Sequence, residues 1–321
     1  MDAKKLNIVY MGTPDFAVTP LRALVENGYN VIAVVTMPDK PAGRGLKLRE
    51  SSVKSYAKEV GLNVLQPEKL RDPEFLRELE SLEPDLGIVI AFRMLPEVVW
   101  AMPKLGTFNL HASLLPQYRG AAPINWAIIN GETKTGVTTF MLNSEIDKGA
   151  VIGQQEVAIT GNDTVGTLHD KLMYTGSELV LDSVNRIATG NITPIEQQLL
   201  ETTELKEAPK IFKDTCHIRW DRPTEAIYNL IRGLSPYPTA WSELVNDSGE
   251  RLNVKFFVAR KEFTTHEDLP GTLITDGKTF LKVACTNGYI VIDELQLAGK
   301  KRMLTADLLR GFNNIKHFRF E

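Results

Sequence analysis

The most restrictive feature of this sequence is a series of short, β-branched apolar runs that alternate with helical patterns. Five runs come before residue 114: LNIVYMG (6–12), NVIAVVT (30–36), LNVLQ (62–66), DLGIVIAF (85–92) and TFNLHAS (107–113). Runs such as IVIAF are continuously apolar, as is typical of strands covered on both faces of a sheet. Alternation of this kind predicts an α/β domain with a doubly wound, mostly parallel sheet.

The same pattern continues to residue 189. A helix is predicted from Pro123 to the Asn130-Gly131 stop signal, because proline suits a first helical turn. The runs GVTTFML and AVIGQQEVAI predict two further strands joined by NSEIDKG, and a helix is predicted over about residues 167–187. We therefore predict that residues 1–189 form the first domain.

The composition and the periodicity of the sequence change after residue 189. Residues 190–208 are polar and lack a sustained period, which predicts a linker. From residue 209 to 321, a short helix is followed by five closely spaced strand-like runs: AWSELV, LNVKFFVAR, GTLIT, TFLKVAC and YIVIDELQL. Short strands with tight turns predict a small barrel or sandwich as the second domain.

Composition narrows the class of protein. The 321 residues are 43% hydrophobic and 24% charged, as expected of globular domains. Since no apolar run approaches the roughly 18 residues of a membrane span, and the N-terminal run is too short for a signal peptide, we predict a cytoplasmic protein with no membrane association. Two cysteines, Cys216 and Cys285, and five histidines without HExxH spacing predict no metal site.

Charge is distributed unevenly along the chain. Residues 1–208 contain 20 Lys and Arg against 26 Asp and Glu, whereas residues 209–321 contain 17 against 14. The positive C-terminal part favours a polyanionic partner, since surfaces that neutralise phosphates are basic. The alternative interpretation is that this excess of positive charge belongs to an ordinary solvated surface.

Two polar side chains interrupt the strand TFNLH. Asn109 and His111 are two residues apart, so both leave the same face of the strand. The loop NSEIDKG, with Asp147, follows the next strand, and we expect the two loops to converge at one end of the sheet. Together these residues offer two donors for a developing oxyanion and a carboxylate to set the protonation of the histidine. Two other interpretations stay open. His111 is then a hydrogen-bonded structural residue, and Asp147-Lys148-Gly149 only forms a turn.

Two loops follow the first two strands. MGTPDF lacks the three glycines of a dinucleotide fingerprint, and the sequence has no GxxxxGK[ST] phosphate loop. MPDKPAGRGLKL (37–48) contains Lys40, Arg44 and Lys47 on a Pro- and Gly-rich frame. It is either a solvated crossover or a flexible basic arm for a phosphate-bearing substrate.

Several of these stretches together resemble the methionyl-tRNA formyltransferase family. The resemblance extends nearly end to end and rests on GTPDFA, DKPAGRG, NLHASLLPQYRGAAPI, IDKG, RWDRPTEAIYNLIRGLSPYPTAW and LAGKKRMLTADLL. It implies a Rossmann-like formyltransferase domain followed by a small OB-like β-barrel that binds tRNA. One departure stands out: the family commonly has a Tyr-Gly turn before ILP, whereas this chain has AFRMLP at residues 91–96.

The resemblance also implies an activity: formyl transfer from 10-formyltetrahydrofolate, a co-substrate rather than a tightly bound cofactor, to methionine on charged initiator tRNA. No protein partner is implied. The roles implied for individual residues are catalysis by Asn109, His111 and Asp147, folate contact by Ser113, Leu114, Leu115 and Pro116, and tRNA contact by Lys40, Arg44 and Lys47.

Two alternative functions stay open. The first is a folate-dependent formyltransferase for another amine, such as an amino-sugar nucleotide or glycinamide ribonucleotide, against which the C-terminal domain argues. The second is a non-catalytic RNA-binding protein with the same fold, against which the intact Asn, His and Asp argue.

Overall fold

The computed structural model describes residues 1–42, 47–200, 204–312 and 314–321. The chain divides into two compact units. The first consists of Met1–Gly120, Thr135–Ala158 and His169–Glu207, and the second of Ala121–Lys134, Ile159–Leu168 and Ala208–Glu321. Two segments of the predicted first domain, 1–189, therefore belong to the second unit.

The predicted mostly parallel sheet is the centre of the first unit. The strands up to residue 158 are β1 (Ile8–Gly12), β2 (Val31–Val35), β3 (Lys40–Ala42), β4 (Lys47–Arg49), β5 (Val64–Leu65), β6 (Leu86–Ile90), β7 (Thr107–His111), β8 (Arg119–Gly120), β9 (Lys134–Met141) and β10 (Val151–Ala158). Seven of them form one sheet in the order β10-β9-β7-β6-β1-β2-β5. Parallel pairs link β7, β6, β1, β2 and β5, while β9 runs antiparallel to β7. The predicted α/β class is confirmed.

Buried strands and local caps explain these elements. Every residue of β1 and β6 is buried, as expected of central strands covered by helices on both faces. Side chains cap two helices: Ser51 accepts from Lys54 N–H, and Asp72 accepts from Glu74 N–H. The helices up to residue 189 are α1 (Val18–Glu26), α2 (Ser52–Glu59), α3 (Pro73–Ser81), α4 (Glu97–Trp100), α5 (Pro123–Ile129) and α6 (Val165–Thr189).

The strand register identifies the edge of the sheet where a ligand is expected. Gly12 of β1 is paired with Ile90 of β6, and Ile90 is paired with Leu110 of β7. The chain order reverses direction between β6 and β1, because β2 and β5 lie on one side of β1 and β6 and β7 on the other. Open α/β sheets bind ligands outside the carboxyl ends of their strands at such a reversal. The loops after β1, β6 and β7 therefore surround the expected crevice.

The second unit contains an antiparallel sheet. From residue 207 onward the strands are β11 (Glu207–Ala208), β12 (Ala240–Asn246), β13 (Arg251–Phe263), β14 (Leu273–Thr275), β15 (Leu281–Cys285), β16 (Gly288–Leu297), β17 (Met303–Leu304) and β18 (Phe318–Phe320), with helices α7 (Thr224–Leu234) and α8 (Thr305–Gly311). The sheet order is β14-β15-β16-β13-β12-β18, with β17 paired to β16. A bridge between Thr272 and Arg319 brings the two edges together. The sheet is thus a nearly closed barrel, as predicted.

The barrel differs from the prediction in detail. Its two central strands are long, 13 residues in β13 and 10 in β16, and β18 was not predicted because three residues carry too weak a pattern. Helix α5 packs on α7, where Asn125 Nδ2 donates to the Gly233 carbonyl at 2.8 Å. A Cβ on Gly233 would lie 2.7 Å from Ile129 Cγ1, so a glycine is needed for this close packing. This contact explains why residues 121–134 belong to the second unit.

Both cysteines lie in the core of the second unit. Cys216 and Cys285 are buried free thiols, and burial raises the pKa of Cys285 to about 12. The described part of the chain contains no group of three or more His, Cys, Asp and Glu side chains that could hold a metal ion. Among the same described residues, no helix combines the length and apolar character needed to span a bilayer.

Candidate active site

Asn109 and His111 lie on the same face of β7. Val89 of β6 is the register partner of Asn109, so the apolar core residue and the amide side chain share that face. Asn109 is half-buried, and His111 is buried with 7% of its surface exposed. The strand therefore carries both polar groups into a largely apolar surrounding, where their hydrogen bonds are stronger than in water.

The turn after β7 fixes the histidine ring. His111 Nε2 lies 2.9 Å from the carbonyl oxygen of Tyr118. Because a carbonyl oxygen only accepts, Nε2 carries a hydrogen and donates it. Nδ1 is then the nitrogen that can gain or release a proton during a reaction.

The loop with Asp147 starts at the opposite end of β7. Leu142 N–H donates to the Thr107 carbonyl at 2.8 Å, which places the start of this loop beside the first residue of β7. The expectation that the two loops meet because they leave the same end of the sheet is therefore wrong. The reason is that β9 runs antiparallel to β7.

The chain after β7 nevertheless reaches both groups. Gly120 N–H donates to Asp147 Oδ2 at 3.1 Å, two residues beyond the carbonyl that holds His111. We call residues 118–120 the bridging segment. It contacts both the His111 ring and the Asp147 carboxylate, although His111 lies at one end of β7 and the Asp147 loop starts at the other end.

The IDKG turn is tightly built. Asp147 has a left-handed backbone with φ 55°, a region that non-glycine residues seldom occupy. A Cβ on Gly149 would lie only 1.6 Å from the Met141 carbonyl oxygen, so this position requires glycine. The stretch is thus a turn, and the turn brings the Asp147 carboxylate to the bridging segment.

Two residues that the sequence analysis missed complete this arrangement. Gln197 is 2% exposed and donates through Nε2 to the carbonyl oxygens of Asp147 and Gly149 at 2.8 and 2.9 Å. Its Oε1 accepts from Arg119 Nε and Nη2 at 3.0 and 2.7 Å. Gln197 lies in the predicted linker, where no period or motif marks it as buried.

The stretch 113–116 is mostly internal. Ser113, Leu115 and Pro116 are buried, and Leu115 N–H donates to Thr138 Oγ1 at 3.0 Å. Leu114 is partly exposed. Within this stretch, Leu114 is therefore the side chain most available to a ligand, and the other three shape the turn.

A half-open apolar cluster lies on the sheet face that carries Asn109. Its members pack against the core around Val89 and are only partly buried: Phe92, Leu95, Met102 and Leu142. Such a surface suits a flat ring system, since it combines apolar contact area with access from solvent.

Arg93 lies in the AFRMLP stretch that departs from the family pattern, and it anchors the loop that carries Phe92 and Leu95 of this cluster. Its Nη1 donates to the Glu68 carbonyl at 2.8 Å, and its Nη2 donates to the Pro67 carbonyl. Burial lowers the pKa of the Arg93 guanidinium. In place of a Tyr-Gly turn, this chain thus attaches the loop 91–96 to the segment after β5.

The basic loop is described in part. Lys40 is exposed on β3, which pairs with β4 as a hairpin that includes Lys47. Arg44 lies outside the described residues. Asp39, just before the hairpin, binds Lys54 Nζ at 2.7 Å, and this hydrogen bond lowers the pKa of Asp39. The base of the loop is therefore fixed to α2.

Comparison with known proteins gives matches to both parts of the chain. Residues 4–184 match the model of the formyl transferase family, and residues 210–313 match the formyl transferase C-terminal domain. A methionyl-tRNA formyltransferase of Bacteroides fragilis is 56% identical over 100% of this chain and 99% of its own length. That of Bacteroides thetaiotaomicron is 58% identical over 97% of each chain.

A solved structure is similar in fold. It is WlaRD, a sugar 3N-formyl transferase crystallised in the presence of dTDP and 5-N-formyl-THF, with a TM-score of 0.65 and 18% identity. The similarity covers 92% of this chain and 99% of WlaRD.

Proposed function

Because this chain belongs to the methionyl-tRNA formyltransferase family, we propose that it formylates the α-amino group of methionine on charged initiator tRNA, using 10-formyltetrahydrofolate. The observation that carries the proposal is the full-length similarity to curated enzymes of that activity. The arrangement of Asn109, His111 and Asp147 around the bridging segment supports it.

The chemistry requires charge stabilisation at two places. Attack of the neutral amine on the formyl carbon forms a new C–N bond and puts negative charge on the carbonyl oxygen and positive charge on the amine nitrogen. We assign Asn109 and His111 Nδ1–H as donors to that oxygen. We assign Asp147, through Oδ1, to accept the amine proton. The bond between the formyl carbon and N10 of the folate then breaks, and N10 takes up one proton as tetrahydrofolate leaves.

The half-open apolar cluster and Leu114 are the proposed site of the folate ring. Phe92, Leu95 and Leu142 pack on the sheet face that carries Asn109, and we place the ring system there with its formyl group directed to the proposed oxyanion donors. The folate leaves as tetrahydrofolate after each turnover and acts as a co-substrate.

The tRNA is proposed to contact two basic regions. Lys40, Arg44 and Lys47 belong to the loop after β2, and the other region is the C-terminal part of the chain, residues 209–321, with its positive excess. Their charges suit the phosphate backbone of the acceptor arm and of the tRNA body. We place the reaction in the cytoplasm, where charged initiator tRNA is used.

A comparison of acceptors tests this function. We expect consumption of 10-formyltetrahydrofolate with charged initiator tRNA, and no consumption with an amino-sugar nucleotide, glycinamide ribonucleotide or uncharged tRNA. Formylation of a small amine at an equal rate would instead favour the alternative enzyme. Tight tRNA binding without any formyl transfer would favour the non-catalytic RNA-binding protein.

Arg93→Ala is expected to raise the KM for 10-formyltetrahydrofolate about tenfold, equivalent to about 1.4 kcal/mol of binding. The reason is that the loop 91–96 loses both carbonyl contacts and no longer presents Phe92 and Leu95 in one arrangement. Steady-state kinetics with each substrate varied in turn measure the effect.

A matched control is Arg77→Ala, since Arg77 is an exposed residue of α3. It should leave both KM values unchanged. An equal rise in the KM for tRNA after Arg93→Ala would show general damage to the unit rather than a change in the folate wall.

A further inference from the structure

We propose that Gln197 is a positioning residue for the reaction: it sets the Asp147 carboxylate by holding the backbone of the IDKG turn. The inference rests on the proposed catalytic role of Asp147. It assigns a functional part to a segment that the sequence indicates only as a linker.

The amide of Gln197 is fully used. Both hydrogens of Nε2 go to carbonyl oxygens of the turn, those of Asp147 and Gly149, and Oε1 accepts two hydrogens from Arg119. A buried amide with satisfied donors and acceptors has one favourable orientation, because any rotation leaves polar groups without partners. Gln197 therefore fixes the turn rather than merely covering it.

The turn needs such support. Asp147 has a left-handed backbone, and the close approach at Gly149 excludes any side chain there. The outer side of the turn is exposed: Ile146 is 64% exposed, and the Lys148–Glu145 ion pair lies in solvent. Exposed ion pairs contribute little. The hydrogen bonds from the buried Gln197 side chain are thus a stronger constraint on this loop than that ion pair.

The contacts also couple Asp147 to His111. Arg119 holds Gln197, which holds the Asp147 backbone, and the adjacent Gly120 N–H holds the Asp147 carboxylate. Tyr118, at the start of the bridging segment, holds the His111 ring. Through the Arg119 side chain, Gln197 thus joins the Asp147 turn to the segment that also holds the His111 ring.

Two substitutions separate this role from simple packing. Gln197→Met keeps the volume and removes all four hydrogen bonds, and Gln197→Glu keeps an acceptor for Arg119 but has no N–H for the two carbonyls. We expect each to lower kcat by about 10- to 100-fold. Both KM values should change by less than about threefold, since no substrate contact is lost.

Gln198→Met is the matched control, because Gln198 is the exposed neighbour on the same 3₁₀ turn. It should have the kcat of the native enzyme. Thermal unfolding of each variant shows whether the fold is retained, and Gln197→Glu keeps the test decisive if Gln197→Met fails to fold. A native kcat in folded Gln197→Glu would overturn the proposal, since the Arg119 contact alone would then suffice.

A double substitution tests whether Gln197 acts through Asp147. In the Asp147→Asn background, Gln197→Glu should cause no further loss of kcat, because the group that it positions is already gone. A full additional loss in that background would overturn the positioning role. A native rate for Asp147→Asn alone would instead reject the proposed function of Asp147, so the two failures are distinguishable.

Discussion

Asp147→Asn is expected to lower the rate of formyl transfer by about 10²- to 10⁴-fold, the usual contribution of a positioned acid or base. The substitution keeps the size of the side chain and an oxygen that can accept from Gly120 N–H at the 3.1 Å seen for the carboxylate. The fold should therefore persist, while the group that takes the amine proton is lost. Single-turnover measurements with bound tRNA isolate this step from product release.

Glu145→Gln is the matched control in the same loop. It also converts a carboxylate to an amide, but the Glu145 side chain is 60% exposed and pairs with Lys148 at the surface. Since exposed ion pairs contribute about 0–1 kcal/mol, its rate should stay near that of the native enzyme. Equal losses in the two variants would mean that loop charge, rather than the Asp147 carboxylate, controls the rate.

His111→Ala and Asn109→Ala are expected to reduce kcat by about 10²- to 10³-fold each, as loss of one oxyanion donor costs roughly 2.7–4 kcal/mol. Both groups act on charge that is present only in the transition state, so the Kd for charged tRNA should be unchanged. Binding measurements at fixed salt and pre-steady-state kinetics separate these two quantities.

The control for the histidine is His317→Ala, because His317 is exposed on a 3₁₀ turn of the second unit. It should leave the rate of formyl transfer unchanged. If His111→Ala or Asn109→Ala weakened tRNA binding as much as it slowed the reaction, the residue would position substrate and the oxyanion role would be rejected.

The sheet and the strand pair could be predicted because their signals are local. Continuous apolar runs identify β1, β2 and β6, and the period of two places Asn109 and His111 on one face whatever the rest of the chain does. The barrel could be predicted for the same reason, because closely spaced strand patterns are also local signals.

The connections of the site could not be predicted, since they depend on contacts between distant residues. The direction of β9 decides at which end of β7 the Asp147 loop starts, and no local pattern encodes that direction. Gln197 resembles any polar residue of a linker until its burial is known. Arg93 is a visible departure from the family pattern, but its carbonyl partners follow β5 and are 25 and 26 residues away in sequence.

The wide sequence separation of the bridging contacts has a consequence for the order in which a newly made chain acquires its properties. The strands of the large sheet are complete at Ala158, whereas Gln197 lies 50 residues after Asp147 and 78 after Arg119. Synthesis runs from the N-terminus at about 5–20 residues per second, and domains generally fold as units. The ribosome therefore releases the framework of the sheet seconds before it releases the side chain that aligns the catalytic turn. The Asp147 turn can therefore reach its final arrangement only after Gln197 has been synthesised.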